Sequence, residues 1–386
     1  MARKRRTPEE YSIDPAAQEM LIYADELGIS TAFSRADDMV PCNIGSAGMC
    51  CKLCGMGPCR LTKDGQTGVC GATIDTIQAR NLIRAIAAGS AAHSDHGRDM
   101  AFTLKAVANG QTEGYAIRDV AKLRKVAAIY DIPIEGRPPE EIANDLADLY
   151  ISQFGQQRGE IIVTKRAPEK RQKLWAEHGV IPRGVDREVV EALHRTHIGD
   201  DQDPEHILSH AIRTSLADGW GGSLIATDVS DILFGTPAPI LGEANLGVLK
   251  DDMVNVVVHG HEPTLSQMIV AASQDPEIIE YAKAAGAKGV NLSGICCTAN
   301  EILMRQGIPA AGNFLHQELS ILTGSVEAMV VDVQCIMQAL VGLAEKFHTK
   351  IITTSPKVKI KGATHIEFHE EKALSTAKNI LRERYG

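Results

Sequence analysis

The stretch CNIGSAGMCCKLCGMGPC, residues 42–59, holds five cysteines in eighteen residues, two of them adjacent, and Cys70 follows in GVCGAT. Only three more cysteines occur, Cys296, Cys297 and Cys335. Six free buried thiols do not explain such crowding, so the loop must fold around whatever joins them. The basic run from Ala2 to Arg6 is followed by TPEEYSIDP rather than by an apolar segment. No apolar run reaches the roughly 18–20 residues of a membrane helix. The expected setting is cytoplasmic and reducing, where crowded cysteines point to metal more than to disulfides. A Cys42–Cys50 disulfide stays open as an alternative.

The spacing divides the block. Cys51-x2-Cys54-x4-Cys59-x10-Cys70 supplies four thiolates from one glycine-rich loop, a set that suits a 4Fe-4S cubane or a zinc ion. Zinc sites are usually built from two separated close pairs, so a compact loop closed by one distal cysteine favours the cubane. Cys42 and Cys50 remain. Two thiolates cannot hold a cubane, but two copies of the loop about a twofold axis supply four. The adjacency of Cys50 and Cys51 then lets one loop touch both its own cluster and the shared one, so that it conducts electrons.

The rest of the chain separates into two regions. From Asp14 to about Leu233, segments such as PAAQEMLIYADELGI, IRDVAKLRKVAAIYDI, PPEEIANDLADLYISQFG and PEHILSHAIRTSLADG space apolar residues by three and four, as amphipathic helices do. After FGTPAP, short β-branched runs alternate with helical stretches: MVNVVVHG (253–260), KGVNLSG (288–294), AMVVDVQ (328–334) and KIITTS (350–355). The expectation is a mainly α domain over residues 1–235 carrying the cysteine loop, followed by a Rossmann-like α/β domain over 236–386 with a parallel sheet. A net charge of −9 and a single short basic tail disfavour a nucleic-acid partner. No GxGxxG or GxxxxGK[ST] loop supports a nucleotide site.

Potential ligands follow three of the predicted strands: His259 and His261 after the first, Cys296 and Cys297 after the second, Cys335 after the third. Side chains beyond the carboxyl ends of parallel strands converge in one crevice. Taken singly, each residue reads as packing; together, mixed histidine and cysteine ligands suit iron or nickel. In AAHSDHGRDMAF, His93 and His96 share one helix face at i, i+3, and on pattern alone they read as surface residues.

Taken in order, CNIGSAGMCCKLCGMGPCR, GVCGAT, AAHSDHG, DILFGTPAP, NLGVLK, VVVHGHEP, GICCTANE and VDVQC resemble the catalytic subunit of the anaerobic nickel-iron-sulfur carbon monoxide dehydrogenases. The resemblance implies a prismane/hybrid-cluster-like architecture and reversible oxidation of CO with water to CO2. Electrons would pass through 4Fe-4S clusters to a ferredoxin-like carrier. It also implies a cytoplasmic homodimer in which Cys42 and Cys50 hold the shared cluster, and Cys51, Cys54, Cys59 and Cys70 hold one within each subunit. His261, Cys297 and Cys335 match ligands of the nickel-iron-sulfur cluster, with Cys296 and His259 as neighbours. His93 matches the catalytic base, Asp218 a carboxylate beside it, and His96 the next rung of a histidine ladder. Asp99 and Phe102 stand where the family places later rungs, and Phe102 cannot pass a proton.

By the same resemblance the family continues beyond LRERYG with another α/β domain, which brings the remaining cysteine ligands and a lysine at the bound carboxylate. One histidine and two cysteines leave the ligand set incomplete within this sequence, so activity is expected to need a completing segment or chain, and an acetyl-CoA synthase subunit is a family partner. Two other readings stay open: a hybrid-cluster (hydroxylamine reductase-type) enzyme, and a noncatalytic iron-sulfur electron-transfer dimer.

Overall fold

The computed structural model describes residues 5–198 and 200–383. The first residues of the basic run, 2–4, and the last three of LRERYG lie outside them. The chain forms two compact units, one of residues Pro41–Gln111 and Ala116–Gly235, the other of Met1–Val40, Thr112–Tyr115 and Thr236–Gly386.

The first unit is helical and is organised by Ile74–Ala108, a 35-residue helix. Thr73 caps its start, the hydroxyl accepting the Thr76 N–H, and no proline interrupts it. Ile77, Ile83, Ala87, Met100 and Leu104 form its buried stripe. Pro139–Gly155, Val185–Arg195, Pro204–Ala217 and Leu224–Phe234 pack around it. Between the last two helices, Asp218–Ser223 winds as a π turn, a wide turn that often marks a functional position. Gly222 meets the long helix at Gly97: a Cβ on Gly222 would lie 2.6 Å from the His93 carbonyl oxygen, and one on Gly97 2.5 Å from the Gly222 oxygen. Only glycines allow this approach. In the cysteine loop, β1 (Cys50–Cys51) and β2 (Cys59–Arg60) pair antiparallel and set Cys51 opposite Cys59.

The second unit is built on a six-stranded sheet in the order β5-β4-β3-β6-β7-β8, every pair parallel. These are β3 (Val254–Gly260), β4 (Val290–Ile295), β5 (Ala310–Gly312), β6 (Val326–Val331), β7 (Lys350–Thr353) and β8 (Thr364–His365). The strands β3, β4, β6 and β7 fall on the four β-branched runs, while β5 and β8 are too short to leave a pattern. Both faces are covered, as a parallel sheet requires. Val254, Val256, Val258, Ala328 and Val330 pack on one face with Leu265, Ile269 and Ile380. Val257, Met329 and Val331 pack on the other with Leu319, Leu340 and, from the N-terminal helix Pro15–Glu26, Ala17, Leu21 and Ala24. That contact is why the first forty residues group with the sheet. Between β3 and β4 the chain forms two helices, Pro263–Ser273 and Pro276–Ala284, because the Asp275 carboxylate caps a new start just before Pro276.

Candidate metal centres

The pairing of β1 with β2 turns the cysteine loop back on itself. Cys51, Cys54, Cys59 and Cys70 wall one cavity of about 120 Å³, whose remaining lining is apolar apart from Arg80. Among the described residues, no three His, Cys, Asp or Glu side chains stand close enough to hold one bare metal ion. Four thiols spread around an apolar void suit a multi-atom core better than a single zinc. Cys70 precedes the long helix, and its thiol is held below the usual range, first by the Ala72 N–H and then by the Arg80 guanidinium. A thiol that ionises readily is already prepared as a ligand.

Cys42 and Cys50 lie outside that cavity's walls. Cys42 is exposed at the start of the short helix Asn43–Ser46, where its Sγ accepts the Gly45 N–H at 3.4 Å. That bond lowers its pKa, helped by Ile44 N–H and the nearby charge of Arg60. Cys50 is half-buried in β1. All nine cysteines are free thiols, so the Cys42–Cys50 disulfide does not form here.

At the sheet, His259 pairs in register with Ile295 on one side and with Val331 on the other, so β3, β4 and β6 end level. His261, Cys296 and the 332–335 turn therefore leave the sheet at one edge. Cys296, Gln334 and Cys335 hold φ of 64°, 64° and 58°, a left-handed conformation rare outside glycine. Such strain collects at functional sites. Burial pushes the Cys296 thiol up to about 12, with repulsion from Cys335 and Cys297 adding to it. Cys297 is raised for the same reasons, burial first and then Cys335. Cys296 is half-buried while Cys297 and Cys335 are exposed at the strand ends, and two thiols whose ionisation is opposed beside a third are a donor set that a cationic centre would relieve.

Two residues that patterning overlooked hold this edge together. Asp332, buried, accepts the N–H of His261 at 2.6 Å and of Glu262 at 3.4 Å, the Thr298 hydroxyl at 3.0 Å, and the N–H of Val333. One carboxylate thus ties the HGHEP turn, the start of helix Cys296–Gln306 and the Cys335 turn. Burial pushes its carboxyl up to about 7 against those donors. Gly260 makes room for it: at φ +141°, a Cβ there would lie 1.8 Å from Asp332 Oδ1. Gln317 donates from Nε2 to the Cys335 carbonyl at 3.0 Å, while its Oε1 accepts the Met337 N–H at 2.9 Å. His259 is fully buried with Nε2 3.1 Å from both Gln317 Oε1 and the Cys335 carbonyl, so its ring braces the turn.

In the helical unit, His93 Nδ1 lies 2.7 Å from Asp218 Oδ1 and 3.3 Å from Ser223 Oγ. The π turn and the Gly97–Gly222 crossing place that carboxylate. The bond to Asp218 raises the His93 pKa, against a smaller lowering by burial. His96 is buried on the same helix, and Phe102 is half exposed.

Residues 49–384 match the model of the Prismane/CO dehydrogenase family. The chain belongs to this family. It is 55% identical over 382 residues to carbon monoxide dehydrogenase 1 of Methanosarcina mazei, covering 98% of this chain and 61% of the relative. Among family members of known structure, a nickel-free crystal structure of the carbon monoxide dehydrogenase from Thermococcus sp. AM4 superposes with a TM-score of 0.97 at 51% identity, over 100% of this chain and 62% of that one. A chain of an acetyl-CoA synthase/carbon monoxide dehydrogenase, described with NiZn[Fe4S4] and NiNi[Fe4S4] clusters in its alpha subunits, gives 0.94 at 43% identity, over 100% and 58%. The chain spans about three fifths of the length of the curated relatives it matches. The helical layers and parallel sheet are the family's α/β architecture. Relatives bearing the carbon monoxide dehydrogenase name over nearly the whole chain leave the hybrid-cluster and electron-transfer readings without favour.

Proposed function

We propose that this chain forms the cluster-binding and proton-handling part of a nickel-iron-sulfur carbon monoxide dehydrogenase, which interconverts CO and water with CO2, two protons and two electrons. The observation that carries the reading is the level ending of β3, β4 and β6, with Cys296, Cys297 and Cys335 in mutual electrostatic reach beside His261. His261, Cys297 and Cys335 would hold part of a nickel-iron-sulfur cluster, with the remaining ligands supplied from outside these residues. When bound, such a cluster supplies a Lewis acid for water and a sink for electrons.

The chain's own residues handle protons and electrons. Asp218 accepts from His93 Nδ1–H, which fixes the tautomer and leaves the Nε2 lone pair as the proton acceptor. His96 is the next proton carrier along that helix. Cys51, Cys54, Cys59 and Cys70 would hold a 4Fe-4S cluster, and Cys42 and Cys50 one shared across a homodimer. The cavity walled by four thiols and the exposed, readily ionised Cys42 support this partition. A ferredoxin-like acceptor and an association with acetyl-CoA synthase follow from the same reading. Among the described residues no helix is long and apolar enough to cross a membrane, which agrees with the proposed cytoplasmic location.

The test is anaerobic purification with iron and nickel analysis, followed by CO-dependent reduction of a viologen dye. Nickel together with more than about 12 irons per dimer, and dye reduction once the ligand set is complete, are expected. A nickel-free dimer holding about 12 irons would instead identify an electron-transfer protein. A colourless zinc protein would overturn both.

A further inference from the structure

Arg80 is a buried cation with no carboxylate partner among the described residues; the one ionisable group it acts on is the thiol of Cys70. It is 1% exposed, and its Nη2 donates to two neutral oxygens, the Asp201 backbone carbonyl at 3.0 Å and Gln202 Oε1 at 2.9 Å. The Asp201 carboxylate is engaged elsewhere, by Arg195 and His206 at 2.9 Å each. No ion pair to Arg80 exists among the described residues, and its buried Nε–H has no acceptor. Buried charges are ordinarily paired, and a buried donor left without a partner is costly. The same side chain lines the cavity walled by Cys51, Cys54, Cys59 and Cys70. The missing counter-charge and the missing acceptor therefore point to one place.

We propose that Arg80 is the electrostatic partner of the iron-sulfur cluster held by those four cysteines, donating to its sulfur from Nε and setting its reduction potential. This inference rests on the cluster assignment made above. A cubane held by four thiolates is anionic, and reduction adds one more negative charge. A guanidinium in a water-poor site stabilises the more negative state more than the less negative one, and a hydrogen bond to sulfur acts in the same direction. Arg80 thus makes the cluster easier to reduce. That suits an intermediate that must accept electrons from one centre and release them to another. Arg80 contributes no metal ligand, so it is a positioning and tuning residue.

The experiment is an anaerobic redox titration of the full chain with reconstituted cluster, followed by the EPR signal of the reduced cubane, on wild type, R80K and R80Q. Iron content is measured in parallel. R80Q is expected to lower the equilibrium constant for one-electron reduction about tenfold or more, a fall of at least ~59 mV. R80K keeps the charge without the planar donor and recovers part of the shift. A wild-type protein without a cubane signal refutes the cluster assignment itself. A wild-type cubane with unchanged potentials in the loaded fraction of R80Q and R80K refutes only the role of Arg80. Failure of both variants to load any cluster also overturns the proposal, since it makes Arg80 a scaffold residue for assembly.

Discussion

Replacing Asp332 by alanine is expected to loosen the sheet edge without unfolding the sheet. The carboxylate accepts three close donors, His261 N–H at 2.6 Å, Thr298 Oγ–H at 3.0 Å and Val333 N–H, and a longer one, Glu262 N–H at 3.4 Å. Each buried donor left without an acceptor costs ~1–3 kcal/mol, and water entering the vacated volume returns part of that. Taking about 1 kcal/mol for each close donor puts the loss near 3–4 kcal/mol, which is a rise of ~10²–10³ in local opening. The native strands keep their ladder and both packed faces, so the effect stays local. Hydrogen exchange resolved by mass spectrometry reads it directly: amides of residues 261–262 and 333 should exchange ~10²–10³ faster in D332A, with β7 unchanged. D332N keeps an acceptor for the three backbone N–H groups and turns its amide toward the Thr298 hydroxyl, so it should lose about tenfold at most. Unchanged protection in D332A, or equal damage from D332N and D332A, would refute the argument that this carboxylate ties the three strand ends.

Two further predictions concern the helical unit. G222A drives a Cβ to 2.6 Å from the His93 carbonyl oxygen, a backbone atom that cannot yield. It should destabilise the unit by ~1–3 kcal/mol and lengthen the His93–Asp218 contact. Trp220 sits on the same π turn, edge-to-face with Trp175 of the helix Glu169–Glu177 at a ring-centroid distance of 5.6 Å. Its fluorescence should therefore shift in G222A, and an unaltered emission and melting temperature would contradict this. For D218N, the pH dependence follows from the raised His93 pKa. A histidine whose folded pKa is raised adds stability below its unfolded value of about 6.5 and loses it as pH rises through the folded value. The stability gap between wild type and D218N should therefore be widest below pH ~6.5 and close above it. Titration of ¹³C-labelled histidine should show a lower His93 pKa in D218N; identical curves would exclude the coupling.

Much of the candidate site was legible as spacing. Two of its supports were not. Asp332 lies inside the quoted VDVQC, yet its role appears only when the strands before His261 and Thr298, 71 and 34 residues away, are brought level with it. Arg80, in a helix whose pattern is amphipathic, reads as a solvated charge, and its burial depends on the 201–202 turn, more than 120 residues on. The π turn at Asp218–Ser223 left no signal either, because the DGWGGS composition reads as a loop.

The residue order by itself determined the quantities that depend on near neighbours: four thiols within one loop, helical spacing of three and four, β-branched runs closed by histidine and cysteine. These are local because thiol reach, helix hydrogen bonding and strand alternation span only a few residues. Tertiary structure decided which distant groups share a buried environment. It placed Pro15–Glu26 on the sheet, buried Arg80 against neutral oxygens rather than a carboxylate, and set one carboxylate across three turns. Burial is a property of the closed chain, and the free energy of a charge or an unpaired donor is set by burial.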